Sequence, residues 1–299
     1  MQRPSLLLWM SLALSSWGTT AFAAPVGGIV AAGKASITQN NGQTLIQQSS
    51  AKAILDWKQF NIGAKESVKF IQPDRNAVAL NRIQSGSPSR IDGQLLANGQ
   101  VFLVNPHGIL FGSNASVNVG GMVASTLNLD ATDFMAGRYN WKGNGTGSIQ
   151  NEGQIQAEGG YVGLLGAQIS NSGQVMANKG SVVLATGQEM TLDISGNGMV
   201  NVVIPKGVAQ ALIHNSGLIQ ADGGQVLLTT HAAQAAVNSV VNNTGIIRAQ
   251  TLGERNGKIV LLADMTEGTA QIGGTLDASA PNGGNGAAPS AACSVIGLF

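Results

Sequence analysis

A seven-residue phrase recurs through the second half of the chain: Asn151-Glu152-Gly153-Gln154-Ile155-Gln156-Ala157, then Asn171 to Ala177, Asn215 to Ala221 and Asn243 to Ala249, with a weaker copy at Gly274 to Ala278. The starts lie 20, 44 and 28 residues apart. The first interval is one unit, the second is read as two units plus an insertion, and the third as one unit plus an insertion near Ala232 to Val241. Each phrase is followed by a turn and an apolar stretch: Tyr161 to Leu165, Ser181 to Ala185, Gln225 to Leu228, Lys258 to Ala263. A unit this short cannot bury its apolar side alone and must stack on its neighbours.

Alternation inside the phrase indicates strands. Ile155, Val175, Ile219 and Ile247 share a face with Ala157, Ala177, Ala221 and Ala249, while Gln156, Met176, Gln220 and Arg248 take the other. Stacking would gather the branched residues in one internal ladder and the alanines in another. The leading asparagines belong at corners, where Asn tolerates left-handed backbone and can bond its neighbours above and below. A leucine-rich repeat is the nearest competitor in period, but its leucine ladder and helical half are missing. The expected fold is all-β, a right-handed parallel β-helix, the usual hand for parallel crossovers. Roughly ten coils about 4.8 Å apart would make a rod of about 50 Å.

Composition agrees. Only 10% of residues are charged and 4% aromatic, with 41 glycines in 299 residues. The core is therefore aliphatic. With 16 basic and 15 acidic side chains, bulk charge draws the chain to neither nucleic acid nor anionic membrane. Arg3 precedes an apolar run from Leu6 to Leu14, and Ala21-Phe22-Ala23 reads as a cleavage signal, so residues 1–23 are expected to be an export peptide cut between Ala23 and Ala24. The run is too short to span a bilayer. Cys293 is the one cysteine, which excludes a disulfide framework and leaves stability to repetitive packing. Residues 24–278 form the expected domain. Residues 279–299, rich in Pro, Gly and Ala, read as a flexible tail.

The first half carries less periodicity and more identity. Phe60-Asn61-Ile62-Gly63 precedes Val68-Lys69-Phe70-Ile71-Gln72-Pro73, then Ala79-Leu80-Asn81-Arg82-Ile83, Ile91-Asp92-Gly93, Val101 to Gly112 through Asn105-Pro106-His107-Gly108-Ile109, and Val119 to Thr126. This series, after an export signal, resembles the N-terminal two-partner secretion domain of filamentous haemagglutinin-like exoproteins, over about Ala24 to Ala278. The resemblance implies a right-handed parallel β-helix with an N-terminal cap and extra-helical β elements. It also implies recognition by the POTRA modules of a dedicated outer-membrane pore, and export from a Gram-negative bacterium through the periplasm to the surface or medium. The family's secretion motif falls on Asn105 to Ile109, with His107 at a position more often Asn. Asn105 to Gly108 is a turn on its own chemistry, since Pro106 fixes φ and Gly108 permits a positive one. Asn81, Arg82 and Gln72 are further recognition candidates, as are Phe70 and Pro73, which also read as packing or cap residues. Val68 to Ile83 is expected to be extended and open to capture by strand addition.

The exoprotein role expected from the resemblance is adhesion to host surfaces or glycans, by a monomer. A contact-dependent toxin or a haem-acquisition exoprotein stays open, as does a truncated exoprotein or a small secreted module. A carbohydrate-active β-helix enzyme is the reading from another class, but it needs clustered carboxylates, and the 15 acidic residues are scattered with no Asp-x-Asp. His107, His214 and His231 have no partner at ligand spacing, so neither metal nor cofactor is expected. Gly143 to Gly147 lacks the Lys and helix of a phosphate loop and reads as a turn.

Overall fold

The alternating strands wind into three parallel sheets, because inward Ile, Val and Leu from each short strand are covered only when the next winding lies on top. The computed structural model describes residues 24–194, 199–233, 239–253, 255–263 and 268–281; the expected export peptide and most of the tail, Cys293 included, lie outside them. A nine-stranded, a seven-stranded and a ten-stranded sheet form the faces of a solenoid. A typical winding runs Tyr161–Gly166, Gln168–Asn171, Gln174–Met176, one strand per face, and the next repeats it as Ser181–Thr186, Ala211–Asn215, Leu218–Gln220. The architecture is a parallel β-helix, of the right hand that the crossover rule prescribes.

Ile155, Val175, Ile219 and Ile247 stack in register and are fully buried, with Ala157, Ala177, Ala221 and Ala249 in the same interior core. The asparagines form a ladder. Asn151 Nδ2 donates to Asn171 Oδ1 at 2.7 Å, Asn171 Nδ2 to Asn215 Oδ1 at 2.7 Å, and Asn215 Nδ2 to Asn243 Oδ1 at 2.6 Å. They end strands of the seven-stranded sheet and do not use left-handed backbone: among the described residues only Asn41 and Lys179 combine a side chain with positive φ. The ladder stops at Asn151, whose Oδ1 is buried without a partner because Phe111 occupies the paired position beneath.

Two expectations are corrected. The 44-residue interval is one winding, since Asn171 pairs directly with Asn215; the excess is the hairpin Glu189–Ile194 and Val200–Lys206, which leaves the solenoid. The seven-stranded sheet counts seven full windings among the described residues, after an opening winding that touches it only through Ile62 at Ile91. At about 4.8 Å per step the solenoid is therefore about 35 Å long, shorter than ten coils would give. The 28-residue interval does hold one winding, with its extra residues between Gln225–Thr230 and Ser239–Asn243.

Antiparallel strands close the N-terminal end. Ile29–Ala32 pairs with Lys52–Trp57, and Ala35–Asn40 with Gln43–Gln48. Outside the solenoid, Asn128–Leu129, Tyr139–Lys142, Glu189–Ile194 and Val200–Lys206 make a four-stranded antiparallel side sheet, accompanied by the short helix Ala131–Met135. Side sheet and helix cover the outer face of the nine-stranded sheet with a second core around Phe102, Phe134 and Trp141.

At the far end, a polar network ties the last windings together. Asp222, 6% exposed, accepts from Gln220 Nε2 at 2.7 Å, Arg248 Nε at 3.0 Å and the Gln250 amide at 2.9 Å, and Gln250 Nε2 reaches Asp277 at 2.7 Å. Hydrogen bonds from the Ser279 side chain and amide, with Gln250 and the nearby Arg248 charge, hold the Asp277 carboxyl below its ordinary value of 3.8. A depressed folded-state pKa stabilises above the unfolded value and is lost as pH falls through the folded one. Strand Thr275–Asp277 is thus expected to lose amide protection below about pH 4 before the central windings do, measured by hydrogen exchange at stepped pH.

Candidate functional site

The turn Asn105 to Gly108 joins Gln100–Val104 of the nine-stranded sheet to Ile109–Phe111 of the seven-stranded sheet. Asn105 is fully buried, and its side chain is spent on the fold: Oδ1 accepts from the His107 amide at 3.0 Å, while Nδ2 donates to Ser87 O at 3.1 Å and Ser89 Oγ at 3.0 Å. The Gly108 amide closes the turn on Asn105 O at 3.0 Å, and the Asn105 amide reaches Ser125 O on the next winding at 3.0 Å. Asn105 therefore locks three windings in register. Pro106 is half-buried and accepts from the Gly147 amide through its carbonyl at 3.3 Å. Gly108 has φ +117°, and a Cβ there would stand 2.9 Å from Ser148 O. Ile109 is buried between Ser89 and Ile149. His107 alone points to solvent, with ordinary negative φ, so histidine costs the backbone nothing here.

The segment Val68 to Ile83 is not one extended stretch. Ser67–Ile71 lies in the ten-stranded sheet, the chain turns a corner, and Val78–Ile83 lies in the nine-stranded sheet, each strand paired on both edges. Neither offers a free edge in the folded domain. Phe70 is a core residue, Pro73 is exposed, and Gln72 fastens the corner. Gln72 Nε2 donates to Ala77 O at 2.9 Å and Gln100 O at 3.1 Å, Oε1 accepts from the Gly99 amide at 3.1 Å, and its backbone pairs with the Asn98 amide group at 2.8 Å. Beside it, Lys69, Ile71, Leu96, Ala97, Asn98 and Asn118 frame an open groove of about 480 Å³.

Asn81 is not a surface residue of the folded domain. It lies inside, fully buried, between Leu55 and Leu103 in the strand register, and accepts from Trp57 Nε1 at 2.9 Å. Asn81→Leu would extend the leucine stack yet orphan that indole N–H. The variant is expected to lose about 1–3 kcal/mol in denaturant unfolding, against a gain if apolar stacking were all that mattered. Arg82 faces outward and grips Asp56 with Nε at 2.7 Å and NH2 at 2.9 Å; both side chains are partly exposed, so Arg82→Ala should cost about 1 kcal/mol or less. Sequence reasoning missed Ser87, Ser89, Asp56 and Trp57 as partners. Asp56 pairs with Arg82 one winding on, and no phrase marks that period in the first half.

The histidines stay apart: His107 at its turn, His214 in Ala211–Asn215, His231 after Gln225–Thr230. Among the described residues no three His, Cys, Asp or Glu side chains are placed to hold a metal ion. Gly143 to Gly147 leads the chain from the side sheet back to Ser148–Asn151. The arrangement is a register-locked corner with one exposed imidazole.

Residues 21–275 match the TPS secretion domain family. Two heme/hemopexin-binding proteins of Haemophilus influenzae are similar to the chain, 33% identical over 254 residues covering 80% of it, and 34% over 250 residues covering 74%. The chain spans about a quarter of the length of these relatives, 27% and 26%. The crystal structure of the HMW1 secretion domain from Haemophilus influenzae superposes with a TM-score of 0.73 at 29% identity, covering 87% of this chain and 75% of that one.

Proposed function

The chain belongs to the TPS secretion domain family, and on that premise we propose that it is the export module of an exoprotein, recognised in the periplasm by POTRA modules of its partner pore and folded outside. Members of the family are secreted from Gram-negative bacteria with a partner outer-membrane transporter. The family match over residues 21–275 carries the reading. Recognition falls to the Asn105 to Ile109 turn, to the corner at Phe70, Gln72 and Pro73, and to Asn81 and Arg82, all offered by the chain before it folds, since Asn105, Phe70, Gln72 and Asn81 are buried once the windings close. Strand addition then acts on that unfolded chain, whose Val68 to Ile83 backbone is free until the windings close. Each winding that closes outside lowers the free energy and opposes back-sliding.

Co-expression with the pore, with release to the medium as the readout, tests the proposal. Release is expected with the pore and absent without it; equal release in both strains would sink it. Asn105→Ala with Gly108→Ala should cut release about tenfold or more, and undiminished release would remove the turn from the signal.

A second reading concerns the cargo. Both curated relatives are named heme/hemopexin-binding proteins, which favours haem acquisition over adhesion as the exoprotein's role. Retention of the exported product on immobilised haemopexin, against retention on host cells, separates the two.

A further inference from the structure

The second core does not follow the nearest-neighbour rule of a simple solenoid. It runs from Ile54 on the opening winding through Leu80, Phe102, Val123, Leu165 and Val183 to Leu227. Phe102 sits at its centre, with ring centroids 5.3 Å from Tyr139, 5.8 Å from Trp141 and 6.1 Å from Phe134. The helix Ala131–Met135 reaches back several windings: Lys52 Nζ donates to Met135 O at 3.1 Å and stands 6.0 Å from the Phe134 ring centroid. Strand Tyr139–Lys142, which carries the fully buried Trp141, gains its second edge only when Glu189–Ile194 arrives to set Met190 opposite Trp141. Until then one flank of Trp141 is open to water. Beyond Leu218, among the described residues, this core buries Leu227 alone, with Val260 and Leu262 only partly buried against its edge.

We propose that the two insertions act as one closure, making residues 52–206 a single cooperative folding unit, with the later windings adding one at a time. For export, which rests on the function proposed above, the pull on the chain then comes in one large step once strands Glu189–Ile194 and Val200–Lys206 have emerged, followed by smaller increments. Burial of the second core links strands far apart in sequence, so their opening is coupled, whereas a stack of independent units would open from its ends.

Hydrogen exchange on the purified mature chain, with no pore present, tests this apart from the export reading. Trp141→Ala is expected to raise exchange together, by about a hundredfold or more, in Lys52–Trp57, Val78–Ile83, Gln100–Val104 and Tyr161–Gly166. Ile247→Ala should raise it only around Ile246–Arg248 and Thr275–Asp277. If Trp141→Ala does not fold, Trp141→Phe should show the same shared rise at about tenfold. A rise confined to the side sheet and helix in either Trp141 variant overturns the proposal. Shared exchange without pore-dependent release would instead leave the closure standing and remove only its role in export.

Discussion

Gly180→Ala is expected to unfold the domain outright or destabilise it by more than about 4 kcal/mol, the range reserved for a clash that the backbone must absorb. A Cβ at Gly180 would stand 1.7 Å from Gly160 O and 2.8 Å from its carbonyl carbon, and both are main-chain atoms of the preceding winding. Neighbouring strands are held about 4.8 Å apart by their hydrogen bonds, so relief means breaking the sheet. The same column continues upward, where a Cβ at Gly224 would lie 1.9 Å from Gly180 O. Gly86→Ala is the control, because nothing lies within 4 Å of its Cβ, and it should stay within about 0.5 kcal/mol of the parent. Denaturant midpoints decide; equal midpoints for the two variants would show that the corner can yield.

The second large effect is expected at Asn171, in the middle of the asparagine ladder. Asn171→Ala removes both an acceptor for Asn151 and a donor for Asn215, all within a fully buried column. Asn215 Oδ1 is left without its donor, while Asn151 Nδ2 keeps only longer bonds to Gly153 O at 3.4 Å and Gln174 O at 3.3 Å, so with a small cavity the expected loss is about 2–4 kcal/mol. Asn171→Asp gives a sharper test. At neutral pH its carboxylate cannot donate to Asn215 Oδ1, and burial raises its pKa. Protonation restores a donor, so this variant should regain stability as pH falls, opposite in sign to the acid fraying expected at Asp277. An Asn171→Asp midpoint that declines with acid in parallel with the parent would refute the ladder's contribution.

The phrase copies placed the inward ladder, the stacked alanines and the bonded asparagines, because each depends on residues repeated at one position of a winding. The 44-residue interval misled because Glu189 to Ile194 alternates like a solenoid strand; the Gly196-Asn197-Gly198 sequence after it, a hairpin signal, was the one local mark of its antiparallel pairing with Val200–Lys206. The site, too, was legible only where the signal is local. The Asn105 turn was legible from Pro106 and Gly108, which act on their own backbone. That Asn81 lies inside against Trp57, while its neighbour Arg82 lies outside against Asp56, was not legible, since each partner sits one winding away.

The sequence by itself determined a repeating β architecture, an interior of branched aliphatics and a secretion-domain identity, all written in residue types at short spacing. Only the tertiary structure decided how many windings there are, which strands leave the solenoid, and that the Asn105 to Gly108 turn is an internal lock with one exposed histidine. Those outcomes depend on which winding lies above which. That registry is set by hydrogen bonds and contacts between residues 20 to more than 80 positions apart, which no local pattern encodes.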